Sequence, residues 1–440
     1  MQEIYFENYG CTANQNSTEI MKGMIKQAGL EIIENQKYAD LIIINSCIVK
    51  ESTISKIKRR IQELSKKNKK IILAGCMPRV FKKDFHHKNL FFLDTSITKD
   101  LLKLIKDIEK KNFEKEKYLS SRNEIKLNLP KISENKLIQI TQISEGCLGE
   151  CAYCLTRSAK GKLFSYPEKE IIESIKKDLL SGGKEIWITS QDNASYGNEK
   201  NLFLLPELLK KILEIKGNFK VRLGMMNPNN VLKILDELIE IYKNSKMFKF
   251  LHIPVQSGSD KILKLMNRKY SVKDFLKIIE KFKKEIPEMT ISTDVIVGFP
   301  EETEKDFQET IELIKKIKPE ILNRSNFSSH PQTPAGKLKK INEEIITKRA
   351  TELMNLHLES CKKLQENYFD KEINVFIDQK GFGKTFLGRT ENYKLVAVQS
   401  EKNILGKNLV VNVKKLFPHY LIGEVIQGPK AGILPIRRER

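Results

Sequence analysis

Short apolar runs alternate with amphipathic helical stretches along most of this chain, and that alternation narrows the possible folds more than any other feature. Within the first hundred residues "EIYFENYG" precedes "NSTEIMKGMIKQAG", "ADLIIINS" precedes "ESTISKIKRRIQELSKKNKK", and "KIILAG" follows. Strand-then-helix repeats of this kind build an open parallel sheet with crossover helices. Each of the three apolar runs leads into a cysteine: Cys11, Cys47 and Cys76. The carboxyl ends of parallel strands share one edge of the sheet, where ligands bind. Three cysteines far apart in sequence are therefore expected to converge on a metal, although free cysteines also serve as small core residues.

A second α/β series begins at "KLIQITQIS". Its candidate strands are "IQITQI", "EIWITS", "KVRLGM", "FKFLHIPV", "TISTDVIVGF" and "EILNRSNFSS", with helical stretches such as "SVKDFLKIIEKFKKEIP" between them. Six such units predict a parallel barrel, whole or partial, whose active site lies at the strand carboxyl ends. The first loop in that position, "EGCLGECAYC", carries Cys147, Cys151 and Cys154. A structural zinc site takes four protein ligands, and no other Cys or His is near in sequence. Three thiolates on one short loop suit a [4Fe–4S] cluster with one iron left open.

After the helical run "NEEIITKRATELMNLHLESCKKLQENYFDKE" the pattern changes. "INVFIDQ", "TFLGRT", "YKLVAVQ" and "NLVVNVKKLFPHYLIGEVI" are short alternating segments that predict a small antiparallel β-barrel. The expected organisation is an open parallel α/β domain over 1–106, a charged linker over 107–132, a partial (β/α)6 barrel over 133–364, the small barrel over 365–428 and a basic tail over 429–440.

A formal net charge of +22 favours a polyanionic partner, RNA or DNA first, although a Lys-rich proteome gives the same balance. No apolar run approaches the roughly 20 residues needed to cross a bilayer. The start, "MQEIYFENYG", has neither the basic nor the apolar region of a signal peptide. A cytoplasmic location with no membrane partner is expected. There the seven cysteines, odd in number, are not expected to pair as disulfides.

Taken together, these motifs resemble the radical S-adenosylmethionine methylthiotransferase family, from the first strand to about Gly428. The C-x3-C-x2-C loop, with Tyr153 before the third cysteine, is similar to the superfamily signature. "LHIPVQSGSDKILKLMNRKY" and "STDVIVGFPEETEKDF" resemble the family closely, and the last barrel resembles its TRAM module. The resemblance implies a [4Fe–4S] cluster on Cys147, Cys151 and Cys154 that cleaves S-adenosylmethionine. It implies a second on Cys11, Cys47 and Cys76 that holds or donates sulfur. It also implies cosubstrate contacts at Tyr153, at Gly182, Gly183 and Glu185 in "SGGKEIWIT", at Gln256 and Ser257, and at Asp294 and Gly298. The glycine pair reads equally as an ordinary helix C-cap ahead of a strand.

Within the family, "GCLGECAYCLTRSAKGKLFSYP" and "VRLGMMNP" are similar to the archaeal and eukaryotic branch that acts on threonylcarbamoyladenosine in tRNA. The implied reaction is methylthiolation at carbon 2 of that adenine beside the anticodon. S-adenosylmethionine is both radical source and methyl donor, and an electron donor and a sulfur source are further partners. Two departures bear on substrate contacts: Ser158 stands where His is common, and "SSHPQTPAG" replaces the usual Arg-Pro-Gly-Thr-Pro. Rival readings are a methylthiotransferase for isopentenyladenosine or for a ribosomal-protein aspartate and, from another class, a non-catalytic zinc and RNA-binding protein. Cys361 reads as an ordinary helix residue and His86 and His87 carry no role. The basic stretch Lys56 to Lys70 and the tail "RRER" read equally as solvated charge or RNA contacts.

Overall fold

Five strands form the N-terminal sheet: β1 (Glu3–Asn8), β2 (Glu31–Ile32), β3 (Leu41–Ser46), β4 (Lys70–Gly75) and β5 (Leu90–Asp94), in the order β2-β1-β3-β4-β5. All neighbours are parallel. Every residue of β3, "LIIINS", is buried, because helices cover both faces of such a sheet and remove any need for alternation. The helices are α1 (Thr12–Gln27), α2 (Glu51–Lys66), α3 (Met77–Phe81) and α4 (Leu101–Glu109). Along α2 a single stripe of Ile54, Ile57, Ile61 and Leu64 is buried. On its other faces Lys58 meets Asp84 at 2.6 Å and Arg60 meets Glu7 at 2.6 Å, so part of the basic stretch is neutralised within the domain. This computed structural model describes residues 3–110, 117–119 and 123–427.

The central domain contributes β6 (Ile138–Gln142), the short antiparallel pair β7 (Ser144–Glu145) and β8 (Phe164–Ser165), then β9 (Glu185–Thr189), β10 (Lys220–Leu223), β11 (Phe250–His252), β12 (Thr290–Val297) and β13 (Ile321–Asn326). Parallel pairing gives two three-stranded sheets, β10-β9-β6 and β11-β12-β13. A bridge between Val221 and Met247, and a 3.0 Å bond from the Met226 N–H to the His252 carbonyl, join them into a six-stranded partial barrel. Ile186, Ile188, Val221, Leu251 and Ile291 share one continuous core. Phe282, on the helix Val272–Glu285, meets the Tyr242 ring edge-on at 5.5 Å.

The long helix Glu343–Glu366 leads to β14 (Glu372–Lys380), β15 (Thr385–Arg389), β16 (Leu395–Gln399), β17 (Asn408–Phe417) and β18 (Tyr420–Gln427), which close into a barrel in the order β14-β15-β16-β18-β17. This barrel seats on the amino ends of the central strands. The Lys249 N–H donates to the Glu391 carbonyl at 2.9 Å, the Thr290 hydroxyl to the Asn392 carbonyl at 2.6 Å, and the Asn135 amide to the Asp378 carbonyl at 2.8 Å. The Tyr393 ring lies 4.9 Å from both Phe248 and Phe250. The N-terminal domain takes the opposite end, where the Gln332 amide donates to the Val80 carbonyl at 3.0 Å and Phe81 faces His330.

The expected linker over 107–132 is largely packed where it is described. The Asp94 N–H donates to the Tyr118 carbonyl at 2.9 Å and the Ile132 N–H to the Glu19 carbonyl at 3.0 Å. Tyr118, Lys126 and Leu127 are buried. The charged composition hid these anchors, because burial of Lys126 depends on a partner supplied from elsewhere in the chain. Residues 111–116 and 120–122, and the tail 429–440, lie outside the described residues. Among the described residues no helix is long and apolar enough to cross a membrane.

Phe282→Ala removes a buried ring from the central core, a change that costs about 3–5 kcal/mol. Trp187 on β9, the one tryptophan of the chain, reports this domain by its fluorescence. Its denaturation midpoint should fall clearly, and an unchanged midpoint would contradict the packing described.

Candidate metal centres

The N-terminal cysteines leave three neighbouring strands at one edge. Register pairs Asn8 with Asn45 and Ser46 with Gly75, so Cys11, Cys47 and Cys76 start three adjacent loops. Asn14 on α1 is fixed beneath them: its amide donates to the Ser46 carbonyl at 2.7 Å, and its own carbonyl accepts from the Asn45 amide at 2.7 Å. The sulfurs of Cys11 and Cys76 each lie 3.9 Å from the Asn14 side-chain oxygen, within twice that distance of one another. Burial is the main influence on Cys76 and pushes its thiol up to about 12, against the pull of the Lys160 ammonium. Cys47 is raised for the same reason. Thiolates crowded into such a place need a compensating metal charge, and soft sulfur donors in this number suit iron–sulfur ligation.

Cys147, Cys151 and Cys154 lie just beyond β7, past the carboxyl end of β6. Gly149 lies close among the sulfurs: a Cβ there would sit 3.2 Å from the Cys147 sulfur and 3.8 Å from that of Cys151. The Gly149 N–H also donates to the Cys147 sulfur at 3.2 Å. Ala152 straps the loop to the barrel, its N–H donating to the Met266 carbonyl at 3.0 Å and its carbonyl accepting from Ala335 at 2.9 Å. Tyr153 packs edge-on against Phe299 at 6.5 Å and buttresses the loop. The Arg268 guanidinium donates to the Cys151 sulfur at 3.2 Å and to the Asn227 side chain at 2.9 Å. A short loop that brings its sulfurs close about Gly149, with N–H and guanidinium donors aimed at them, fits a cluster-binding thiolate set.

The two cysteine sets are physically joined. Directly after Cys154, Leu155 and Ala159 bury in the same apolar cluster as Cys76, Ile48 and Met77. Ala159 and Lys160 lie on the short helix α5 (Thr156–Lys160). The Lys160 ammonium lies 3.1 Å from one Glu145 oxygen, and Lys126 lies 2.8 Å from the other. Thr95 of the N-terminal domain donates to the same carboxylate at 3.1 Å. Burial opposes ionisation of Glu145, but the two lysines outweigh it and hold the carboxyl at about 2.

The other expected site residues divide. His252 and Asp294, on β11 and β12, pair at 2.9 Å. The Gln256 N–H donates to the Asp294 carbonyl at 2.8 Å, with Gln256 at a φ of 71°. Ser257 is buried with its hydroxyl turned to Thr310 and the Ser259 N–H, an internal contact. Gly298 has a φ of 77°, and a Cβ there would meet Ile346 of the long helix at 2.4 Å, so it serves close packing at the end of β12.

Gly182, Gly183 and Glu185 are not brought to the cysteines. They lie at the amino end of β9, where Ile138 pairs with Glu185. The Gly182 and Gly183 N–H groups close the preceding helix on the Leu179 and Asp178 carbonyls, which is the C-cap alternative. Burial, and then the charge of Asp378 on β14, push Glu185 up to about 8; it belongs to the contact with the small barrel. The correction follows from strand direction: a residue that opens a parallel strand faces away from the loops that close it.

The polar groups that do lie near the central cysteines follow β9 instead. Gln191 accepts from the Gly146 N–H at 2.8 Å. Asp192 accepts from the Asn227 N–H at 2.9 Å and the Asn230 amide at 2.7 Å; burial above all raises it to about 6. "SQDN" after an apolar run was the signal that could have found them, by the same strand-end rule that found the cysteines.

Comparison with known proteins places the chain among families. Residues 141–314 match the radical SAM superfamily, residues 3–93 the Uncharacterized protein family UPF0004, and residues 368–426 the TRAM domain. A radical S-adenosylmethionine methyltransferase from Kitasatospora setae, solved with cobalamin and a [4Fe–4S] cluster bound, superposes with a TM-score of 0.55. Its identity is 12%, over 76% of this chain and 77% of that one. The cobalamin-dependent S-adenosylmethionine radical enzyme OxsB superposes with a TM-score of 0.51 at 12% identity, over 81% of this chain and 56% of that one. Fold and cysteine loop thus define a radical SAM protein flanked by two accessory domains.

Two full-length relatives narrow the class. A "probable threonylcarbamoyladenosine tRNA methylthiotransferase" of Pyrococcus horikoshii is 38% identical over 97% of this chain and 100% of its own length. The human threonylcarbamoyladenosine tRNA methylthiotransferase is 33% identical over 98% of this chain and 75% of its own. The chain belongs to the threonylcarbamoyladenosine tRNA methylthiotransferase family.

Glu145→Ala leaves Lys126 and Lys160 buried without their anion, a loss of about 3–5 kcal/mol, read as a lowered melting temperature. Glu145 is held at about 2 against an ordinary 4.5. Its contribution is therefore complete above about pH 4.5 and is lost as pH falls towards 2. Metal-free wild type should lose stability through that window more steeply than Glu145→Gln, and parallel profiles would contradict the pairing.

Proposed function

We propose that this protein methylthiolates carbon 2 of N6-threonylcarbamoyladenosine beside the anticodon of tRNA. One [4Fe–4S] cluster is held by Cys147, Cys151 and Cys154 and a second by Cys11, Cys47 and Cys76; S-adenosylmethionine serves as both radical source and methyl donor. The observation that carries this reading is the pair of three-cysteine sets bound to one another through Leu155, Ala159 and Lys160. When bound, such clusters supply the electron that cleaves S-adenosylmethionine and the sulfur that is transferred.

The chain's own residues position and shield. Arg268 offsets thiolate charge at Cys151, and Lys160 does so at Cys76 and Cys47. The His252–Asp294 pair and Asp192 present polar groups near the carboxyl ends of the strands, where an adenine and a cosubstrate must meet. The N-terminal domain, resting on that end through Val80, Phe81 and Thr95, shields it from water. For the partner, the names of the archaeal and human relatives favour threonylcarbamoyladenosine over isopentenyladenosine or a protein aspartate. The charge of +22 favours an RNA.

Anaerobically reconstituted protein should hold about eight irons, as two four-iron clusters require. Replacing Cys147, Cys151 and Cys154 with Ala should leave about half and abolish cleavage of S-adenosylmethionine. Cys47→Ala should keep that cleavage while losing methylthiolation of tRNA nucleosides, measured by mass spectrometry. Efficient sulfur transfer by that variant would sink the two-cluster reading.

The RNA contact has its own test. Phe382, in the turn between β14 and β15, is 98% exposed and lies between Lys380 and Lys384. A base stacked on such a ring contributes about 1–3 kcal/mol. Phe382→Ala should therefore weaken tRNA binding about fivefold or more, with the iron content untouched. Unchanged affinity would remove this turn from the interface.

A further inference from the structure

A third cluster of soft donors lies outside the six cysteines. His357 and Cys361 are four residues apart on the long helix and therefore share a face. His419 approaches them from the turn between β17 and β18. The Cys361 sulfur lies 3.4 Å from one ring nitrogen of His357 and 3.7 Å from the other. The His357 and His419 rings stack at 5.8 Å. One donor atom from each of the three residues lies within 4.8 Å of the other two.

We propose that His357, Cys361 and His419 form a zinc site that staples the long helix to the C-terminal barrel. Zinc–sulfur and zinc–nitrogen bonds of roughly 2.3 and 2.0 Å give a tetrahedral sulfur–nitrogen edge of about 3.5 Å, close to the His357–Cys361 spacing. Two donors are buried and the third is exposed, so the ion meets solvent on the His419 side, where water completes the tetrahedron. Gln365, the next residue on the same face, stands at the rim. Its amide donates to the carbonyl of Pro418 at 3.3 Å, while its buried side-chain oxygen has no partner.

The other groups facing Cys361 are the Glu320 carbonyl, 3.5 Å from the sulfur, and Lys394. Burial pushes the Cys361 thiol up to about 11 against the opposing pull of the Lys394 charge, and the Lys394 ammonium lies 3.9 Å from the Glu320 carboxylate. Binding displaces the thiol proton to solvent, and no oxidation is involved. Glu320 immediately precedes β13, so the site lies at the amino ends of the barrel strands. The cysteine triple of the central loop lies at the other end. In sequence Cys361 looks like an ordinary helix residue, because the third partner comes from a distant hairpin turn.

The test uses the full-length, iron-loaded protein equilibrated with a zinc buffer, with zinc and iron measured together by mass spectrometry. About one zinc per chain is expected, with a sulfur neighbour near 2.3 Å in the zinc X-ray absorption spectrum. His419→Ala changes an exposed turn residue and leaves the core intact; it should weaken zinc binding at least tenfold with iron unchanged. Cys361→Ser should lose the sulfur neighbour as well. Iron-loaded wild type without stoichiometric zinc, or zinc retained at wild-type affinity in His419→Ala, would overturn the site.

Discussion

The arrangement of this molecule depends on one buried carboxylate. Glu145 lies two residues before the first cysteine of the central loop and is almost sealed from solvent. It gathers Lys126 from the segment between the domains, Lys160 from the end of α5, and Thr95 from just beyond β5 of the N-terminal domain. Breaking such a pair leaves an uncompensated charge in a low-dielectric interior, so the three segments cannot separate cheaply. The Lys160 ammonium also reaches the buried thiols of Cys76 and Cys47, where its charge works against the rise that burial causes, so the network that ties the segments together also eases the holding of thiolates there.

The opposite end of the central barrel is closed by different chemistry. Tyr393 inserts from the small barrel among Phe248, Phe250 and Trp187, and the Arg222 guanidinium lies 4.9 Å from the Trp187 and Phe250 rings. A cation against several aromatic faces gains from each ring, and the Trp187 indole N–H donates to the Glu185 carboxylate at 3.0 Å. Beside this cluster Glu185 and Asp378 are both raised above the ordinary carboxyl range, mainly by burial, with Asp378 adding to the rise at Glu185. Two buried carboxyls this close favour sharing a proton over carrying two charges. This end therefore holds two domains together, while both cysteine sets lie at the other.

That division explains what the sequence revealed and what it hid. Cys11, Cys47 and Cys76 were legible because parallel strands carry their carboxyl ends to one edge, a rule that needs no partner identity. The short β5 was missed because "LFFLD" follows a polar loop with no helical run to announce it. Gly182, Gly183 and Glu185 were assigned to the cosubstrate by resemblance alone, without regard to strand direction. Applying that direction points to Gln191 and Asp192 instead. The roles of Glu145, Lys126 and Tyr393 were not legible, since a buried charge or an inserted ring is defined by partners distant in the chain. His357 and Cys361 showed their spacing, but nothing near them foretold His419.

The separation of the two ends also limits how an RNA can be recognised. β12, with eight residues, spans about 26 Å at roughly 3.3 Å per residue. A nucleic acid engaged by the small barrel must therefore run along the flank of the central domain before a base can enter at the cysteine end. Contacts from the small barrel then contribute affinity and orientation, chiefly through phosphates and exposed rings, and carry no information about the reacting adenine. At the carboxyl ends lie the polar groups of Asp192, His252, Asp294 and the segment from Ser328 to Gln332, and on the proposed reading these would be the ones to meet the base. The same segment bonds to the N-terminal domain through Gln332 and Val80. The stretch that would meet the base on the proposed reading is thus also the one that fixes the N-terminal domain, with Cys11, Cys47 and Cys76, over the same end of the barrel.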